Sequence, residues 1–112
     1  MARYRIKRAY EPAAEADGTR VLVDRVWPRG ITKEKAAVSE WLKEVAPSTE
    51  LRKWFGHEPE RFAEFRERYR AELKGSAALE ALRRLKGVVT LVYGAHDETH
   101  NQAAVLKELL EE

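Results

Sequence analysis

Gly87-Val88-Val89-Thr90-Leu91-Val92-Tyr93-Gly94 is the stretch that decides the fold. Its near-continuous apolar character marks a strand covered on both faces, and so a central position in a sheet. A second run of this kind, Thr19-Arg20-Val21-Leu22-Val23-Asp24, is apolar on both faces at Val21-Leu22-Val23 and reads as another inner strand. It stops before Trp27-Pro28-Arg29-Gly30, where proline and then glycine break a ladder. Long helical sequence separates the two runs, so they are expected to be neighbours and parallel. Residues 3–8 set Tyr4 and Ile6 against Arg5, Lys7 and Arg8, the alternation of a half-buried strand.

The remaining punctuation is helical. Trp41 and Leu42 are expected in a short helical stretch that Pro47 ends. Ser48 is placed to cap a helix with Leu51, Trp54 and Phe55 on one face, stopping at Gly56. Pro59 fits the first turn of the next, where Phe62, Phe65, Tyr69 and Leu73 form an aromatic stripe that reads as core. Gly75 closes it, Ser76 caps a helix buried through Leu79, Leu82 and Leu85, and residues 11–18 form a loop with a turn at Asp17-Gly18. Asp97 or Thr99 is expected to cap the last helix, lined by Ala103, Leu106 and Leu110. The fold class is therefore α/β: a single compact domain with a small, mostly parallel sheet flanked by helices.

At 112 residues, 44% hydrophobic and 36% charged, the chain is one globular domain. The absence of cysteine excludes disulfides, thiolate metal sites and a cysteine nucleophile, and fits a cytoplasmic location. No apolar run approaches the roughly 18 residues of a membrane span, and residues 1–10 carry no signal-peptide pattern, so no membrane partner is expected. The net charge of +2 hides an asymmetry, because residues 87–112 hold one Lys/Arg against five Asp/Glu and the rest is basic. Charges of both signs alternate along the middle of the chain, as on a solvated helix face, and no dense basic run appears.

Both inner strands run into polar segments, Asp24-Arg25-Val26-Trp27-Pro28-Arg29-Gly30 and Gly94-Ala95-His96-Asp97-Glu98-Thr99-His100-Asn101. If the strands are parallel, both segments emerge at the carboxyl edge, where open α/β sheets place ligands. The expected pocket comprises Arg25, Arg29, His57, His96, Asp97, His100 and Asn101, with Trp27 as a wall or a plug of the sheet edge. Arg25 and Arg29 offer planar donor forks for carboxylate or phosphate, or else pair internally with Asp24. Free backbone N–H groups where the last helix begins, near Asp97 to His100, would add a partial positive charge. His96 and His100 are four apart, but no motif fixes a third ligand, so no metal is expected. A general acid or base role fits His100 or His57 better, with Asp97 orienting; His57 also fits a helix C-terminus. Ser48 lacks a nucleophile elbow, and without a glycine-rich phosphate loop no nucleotide cofactor is expected. The leading expectation is an enzyme or binder of a small anionic ligand. The alternative is a nucleic-acid-associated or regulatory module using the basic residues 3–8 and the basic helices, and a purely structural interaction domain is a third. The oligomeric state stays open.

The segment Val21-Leu22-Val23-Asp24-Arg25-Val26-Trp27-Pro28-Arg29-Gly30, followed by Trp41-Leu42-Lys43 and Ala46-Pro47-Ser48, resembles the YeaO-like family of prokaryotic proteins, domain of unknown function 488. The resemblance continues through Leu51-Arg52-Lys53-Trp54-Phe55-Gly56-His57, Phe65 and Tyr69, and ends with Thr90-Leu91-Val92-Tyr93 and His100-Asn101, covering almost the whole chain. It implies a compact α/β domain and no particular reaction. The strand ending in Asp24-Arg25 also faintly resembles rhodanese-like domains, but those use a catalytic cysteine, so sulfur transfer is not implied.

Overall fold

The computed structural model describes residues 2–112. Its strands are β1 (Ala2–Arg8), β2 (Thr19–Leu22), β3 (Glu40–Trp41) and β4 (Gly87–Tyr93). Its α-helices are α1 (Lys33–Ala36), α2 (Thr49–Phe55), α3 (Phe62–Glu72), α4 (Ala77–Arg84) and α5 (Gln102–Leu110). The strands form one sheet in the order β1-β4-β2-β3, and every pairing is parallel. The two apolar runs are neighbours, with Thr19 opposite Val89 and Leu22 opposite Val92, while β1 pairs with β4 along its whole length.

Burial on two faces has two different causes. Tyr4, Val21, Val23, Val89, Leu91 and Tyr93 pack against α2, α3, α4 and α5 in the main core. On the other face Leu22, Val92 and Ala9 lie under Trp27, Val38 and Trp41. The rest of that face is polar: the buried Arg20 donates from Nη1 to Asp17 (2.6 Å) and from Nε to the Ala36 carbonyl (2.9 Å). Thr90 Oγ1 donates to the Asp17 carbonyl. The aromatic stripe of α3 is core, with Phe65, Tyr69 and Leu73 buried and Phe62 partly so. Ser48 and Ser76 cap α2 and α4, accepting from the Leu51 and Leu79 N–H groups, and Gly56 ends α2 in the left-handed region.

Two local expectations are corrected. Trp41 and Leu42 are not helical: Glu40–Trp41 is the edge strand β3, followed by a 3-10 turn over Lys43–Val45. The exposed edge of β2 carries unpaired backbone groups, and this segment satisfies them, the Leu42 N–H donating to the Leu22 carbonyl at 3.0 Å. The cap of α5 is neither Asp97 nor Thr99 but Asn101, whose Oδ1 accepts from the Ala104 N–H.

The connections place the crevice. After β2 the chain leaves through α1 to β3, whereas after β4 it enters α5, which packs on β4 and β1. The exits of the two central strands therefore diverge, the topology that opens a crevice at a carboxyl edge.

Candidate functional site

A cleft of about 1020 Å³ occupies that edge. Arg25, Trp27 and Arg29 reach it from the segment after β2, and His96, Asp97, His100 and Asn101 from the segment after β4. His57, just past α2, completes it, so every residue singled out in the sequence lines one cleft. Pro28, Ala46, Pro47, Phe55 and Phe65 supply apolar wall.

The two arginines are held differently. Arg25 does not pair with its neighbour Asp24. Its Nε donates to the Pro47 carbonyl and its Nη2 to the Ala46 carbonyl, both at 3.1 Å, tying the exit of β2 to the turn before α2. Arg29 is exposed, and its backbone is fixed because Tyr10 Oη donates to its carbonyl (2.9 Å). Among the described residues, no side chain pairs with its guanidinium. Trp27 is both wall and plug: its indole N–H donates to the Ile31 carbonyl, and its ring meets Trp41 edge-on at 5.3 Å beneath the sheet.

The expectation of free N–H groups near Asp97 to His100 is also corrected. Asp97 Oδ1 accepts from the backbone N–H groups of both Thr99 and His100 at 2.9 Å, so the chain's own carboxylate occupies that nest. The His100 and Thr99 N–H groups and the His100 side chain hold the Asp97 carboxyl well below the usual carboxylate range. Asp97 Oδ2 lies 2.8 Å from His100 Nδ1, which orients the imidazole and directs its Nε2 away from the carboxylate. The His100 ring stands edge-on to Phe62, with centroids 5.2 Å apart. Asn101 is buried and structural, capping α5 while its Nδ2 donates to the Asp97 carbonyl. His57 has φ 59°, an uncommon conformation for a residue with a Cβ, and is exposed. His96 is exposed too, its Nδ1 3.4 Å from Arg8 Nη2.

Sequence reasoning missed the residue at the centre. Asp24 there reads only as a partner for Arg25, but its carboxyl bridges the two strand exits. Oδ2 accepts from the Gly94 N–H at 2.9 Å, and Oδ1 accepts from the Gln102 side chain at the start of α5. No Lys, Arg or His side chain among the described residues forms an ion pair with it. Burial pushes the carboxyl up from 3.8 to about 6, against the opposing pull of the Gly94 N–H, Gln102 and the Arg52 charge. A Cβ at Gly94 would lie 2.9 Å from Asp24 Oδ2, so a larger residue there would shift the carboxyl. Arg52 and Lys53 of α2 were missed as well, because a helical arginine and lysine carry no positional signal of their own; they line the cleft, and neither forms an ion pair. Among the described residues no group of three or more His, Asp or Glu side chains is placed to hold a metal ion.

Residues 3–112 match the family described as "Inactive DUF488-N3 subclade". The chain belongs to the DUF488 family. It is 53% identical over 110 residues to the uncharacterised protein Rv3073c of Mycobacterium tuberculosis and to Mb3100c of Mycobacterium bovis, covering 96% of this chain and 93% of each relative. It is 48% identical over 109 residues to the uncharacterised protein YeaO of Escherichia coli, covering 93% of both. The YeaO-like resemblance of the sequence is thus a family membership of this DUF488 chain. No solved structure matches it.

Proposed function

We propose that this DUF488 domain binds a small anionic ligand in the cleft at the carboxyl edge of its sheet. One observation carries the reading: Arg29, Arg52 and Lys53 all line the cleft, and none forms an ion pair with an acidic residue. Four helix arginines outside the cleft are paired instead, Arg66 and Arg70 with Glu108, Arg68 with Glu64 and Arg83 with Glu80. Cations without internal partners beside apolar wall favour an anion, which loses little water that it does not recover as charged hydrogen bonds. Because those four charges on the long basic helices are already compensated, those helices offer less to a diffuse polyanion than the cleft does to a small anion. Arg25 lines the same space and braces its wall through the Ala46 and Pro47 carbonyls.

Binding is favoured over turnover by the word "inactive" in the description of the matching family. His100, oriented by Asp97, then serves as a fixed hydrogen-bonding group for the ligand, with His57 and His96 at the rim. The test is calorimetric titration with inorganic phosphate and a panel of phosphorylated and carboxylated metabolites. Arg29→Ala should weaken binding by about 1.5–3 kcal/mol, the range for losing a charged hydrogen bond. Arg68→Ala, which removes a partly exposed charge paired to Glu64, should leave binding nearly unchanged. Equal weakening by the two substitutions, with a steep loss on adding salt, would favour nucleic acid instead. No binding of any anion by the parent would end the pocket reading.

A further inference from the structure

The floor of the cleft has the opposite sign to its rim. Asp24 lines the cleft between the ends of β2 and β4, where its two oxygens each accept one protein N–H, from Gly94 and from Gln102. Each carboxylate oxygen can accept a second hydrogen bond, so half of its acceptor capacity is free. The charged groups that face it are few. Arg52 of α2 acts on it at a distance without forming an ion pair, and the Tyr69 hydroxyl of α3 donates elsewhere, to the Val45 carbonyl. From β4 and α5 the facing groups are the uncharged Gly94 and Gln102. A half-buried carboxylate without an ion-pair partner is an unfavourable arrangement, which an incoming ammonium group relieves.

Resting on the anion reading, we infer that the ligand is zwitterionic: its anionic group meets Arg29, Arg52 and Lys53, while an ammonium group donates to the Asp24 carboxylate. Three features fix the acceptor for this purpose. The Gly94 N–H holds Oδ2, Gln102 holds Oδ1, and Trp41 Nε1 donates to the Asp24 backbone carbonyl at 2.7 Å, so neither the side chain nor its backbone drifts. A preorganised acceptor loses little freedom on binding, so the added charged hydrogen bond appears as affinity.

The experiment uses matched pairs that differ only in the amine: O-phosphoethanolamine against ethyl phosphate, and β-alanine against propionate, each titrated calorimetrically into the full chain at neutral pH. The two pairs separate a phosphate from a carboxylate as the preferred anion. The amine-bearing member of the preferred pair should bind at least about tenfold tighter than its amine-free partner. In Asp24→Asn that preference should vanish, while ethyl phosphate or propionate binds as well as before or better. Gly94→Ala gives an independent check, because its Cβ displaces the Asp24 carboxyl, and it should also abolish the preference. Equal affinity within both pairs for the parent, or an undiminished preference in Asp24→Asn, overturns the zwitterion and leaves the anion reading standing. Failure of these four compounds, of inorganic phosphate and of every anion in the metabolite panel to bind overturns both.

Discussion

Replacing Asp24 by asparagine should make the domain more stable, and only above a definite pH. In the unfolded chain the carboxyl titrates near 3.8; in the fold, burial raises it to about 6. Between those values the folded chain holds the extra proton, so stability falls as pH rises from about 4 to about 6 and stays lowered above. At about 1.36 kcal/mol per pH unit, the ionised carboxylate costs the fold about 3 kcal/mol, an upper bound because water at the cleft mouth screens part of it. Asparagine keeps the geometry: its Oδ1 accepts from the Gly94 N–H, and Gln102, with its amide turned over, presents Oε1 to the new Nδ2. We therefore expect Asp24→Asn to be more stable than the parent by about 1 to 3 kcal/mol at pH 7.5 and about equal at pH 4. Urea unfolding at pH 4, 5, 6 and 7.5 checks this, with matching m-values confirming that both chains unfold over the same surface. A variant less stable at pH 7.5, or a difference that does not change with pH, would refute the reasoning. Stability given up at one carboxylate is the usual mark of a residue kept for binding.

The core makes sharper demands. Phe65 is 2% exposed and stacks on Phe55 at 4.4 Å, so Phe65→Ala should cost about 3–5 kcal/mol in urea unfolding, and a loss under about 1 kcal/mol would move the stripe to the surface. Gly18 has φ 63°, and a Cβ there would fall 2.3 Å from the Val88 carbonyl oxygen. Gly18→Ala should thus lower stability by about 3 kcal/mol or more, combining the backbone strain with displacement of β4; a change under about 1 kcal/mol would mean that the turn after Asp17 is free to move.

Much of the architecture was legible because its signals are local. Two-sided apolarity at Val21-Leu22-Val23 and Val88-Val89 identified the inner strands, and their intervening helices implied the parallel pairing. Serine caps at Ser48 and Ser76 and the glycine stop at Gly56 marked helix ends where side chains and left-handed backbone decide them. What failed was non-local or competitive. A two-residue strand gives no period to read, and Glu40–Trp41 pairs because the edge of β2 needs partners, with the Leu42 N–H adding one more bond to Leu22. The start of α5 moved to Asn101 because Asp97 takes the Thr99 and His100 N–H groups, leaving that segment outside the helix. Arg25 next to Asp24 invited an ion pair, whereas the structure turns the arginine to the Ala46 and Pro47 carbonyls, contacts across 21 and 22 residues of chain.

The same reasoning explains why the cleft is legible as a location and obscure as a chemistry. Read singly, Gly94 ends a strand and Pro28 breaks one, and Gln102 carries no signal at all. In the fold Gly94 and Gln102 converge on one carboxyl, the Gly94 N–H holding Asp24 Oδ2 and Gln102 the other oxygen, while Pro28 packs beside Gly94. That convergence depends on β2 and β4 being adjacent and parallel, which brings positions 24 and 94 to the same edge of the sheet. Packing alone does not call for a carboxylate at such a point, since asparagine satisfies the same donors without the charge. The negative charge is the one property of Asp24 that the fold does not use, and so its complement, a positively charged group, is what to look for in whatever the cleft binds.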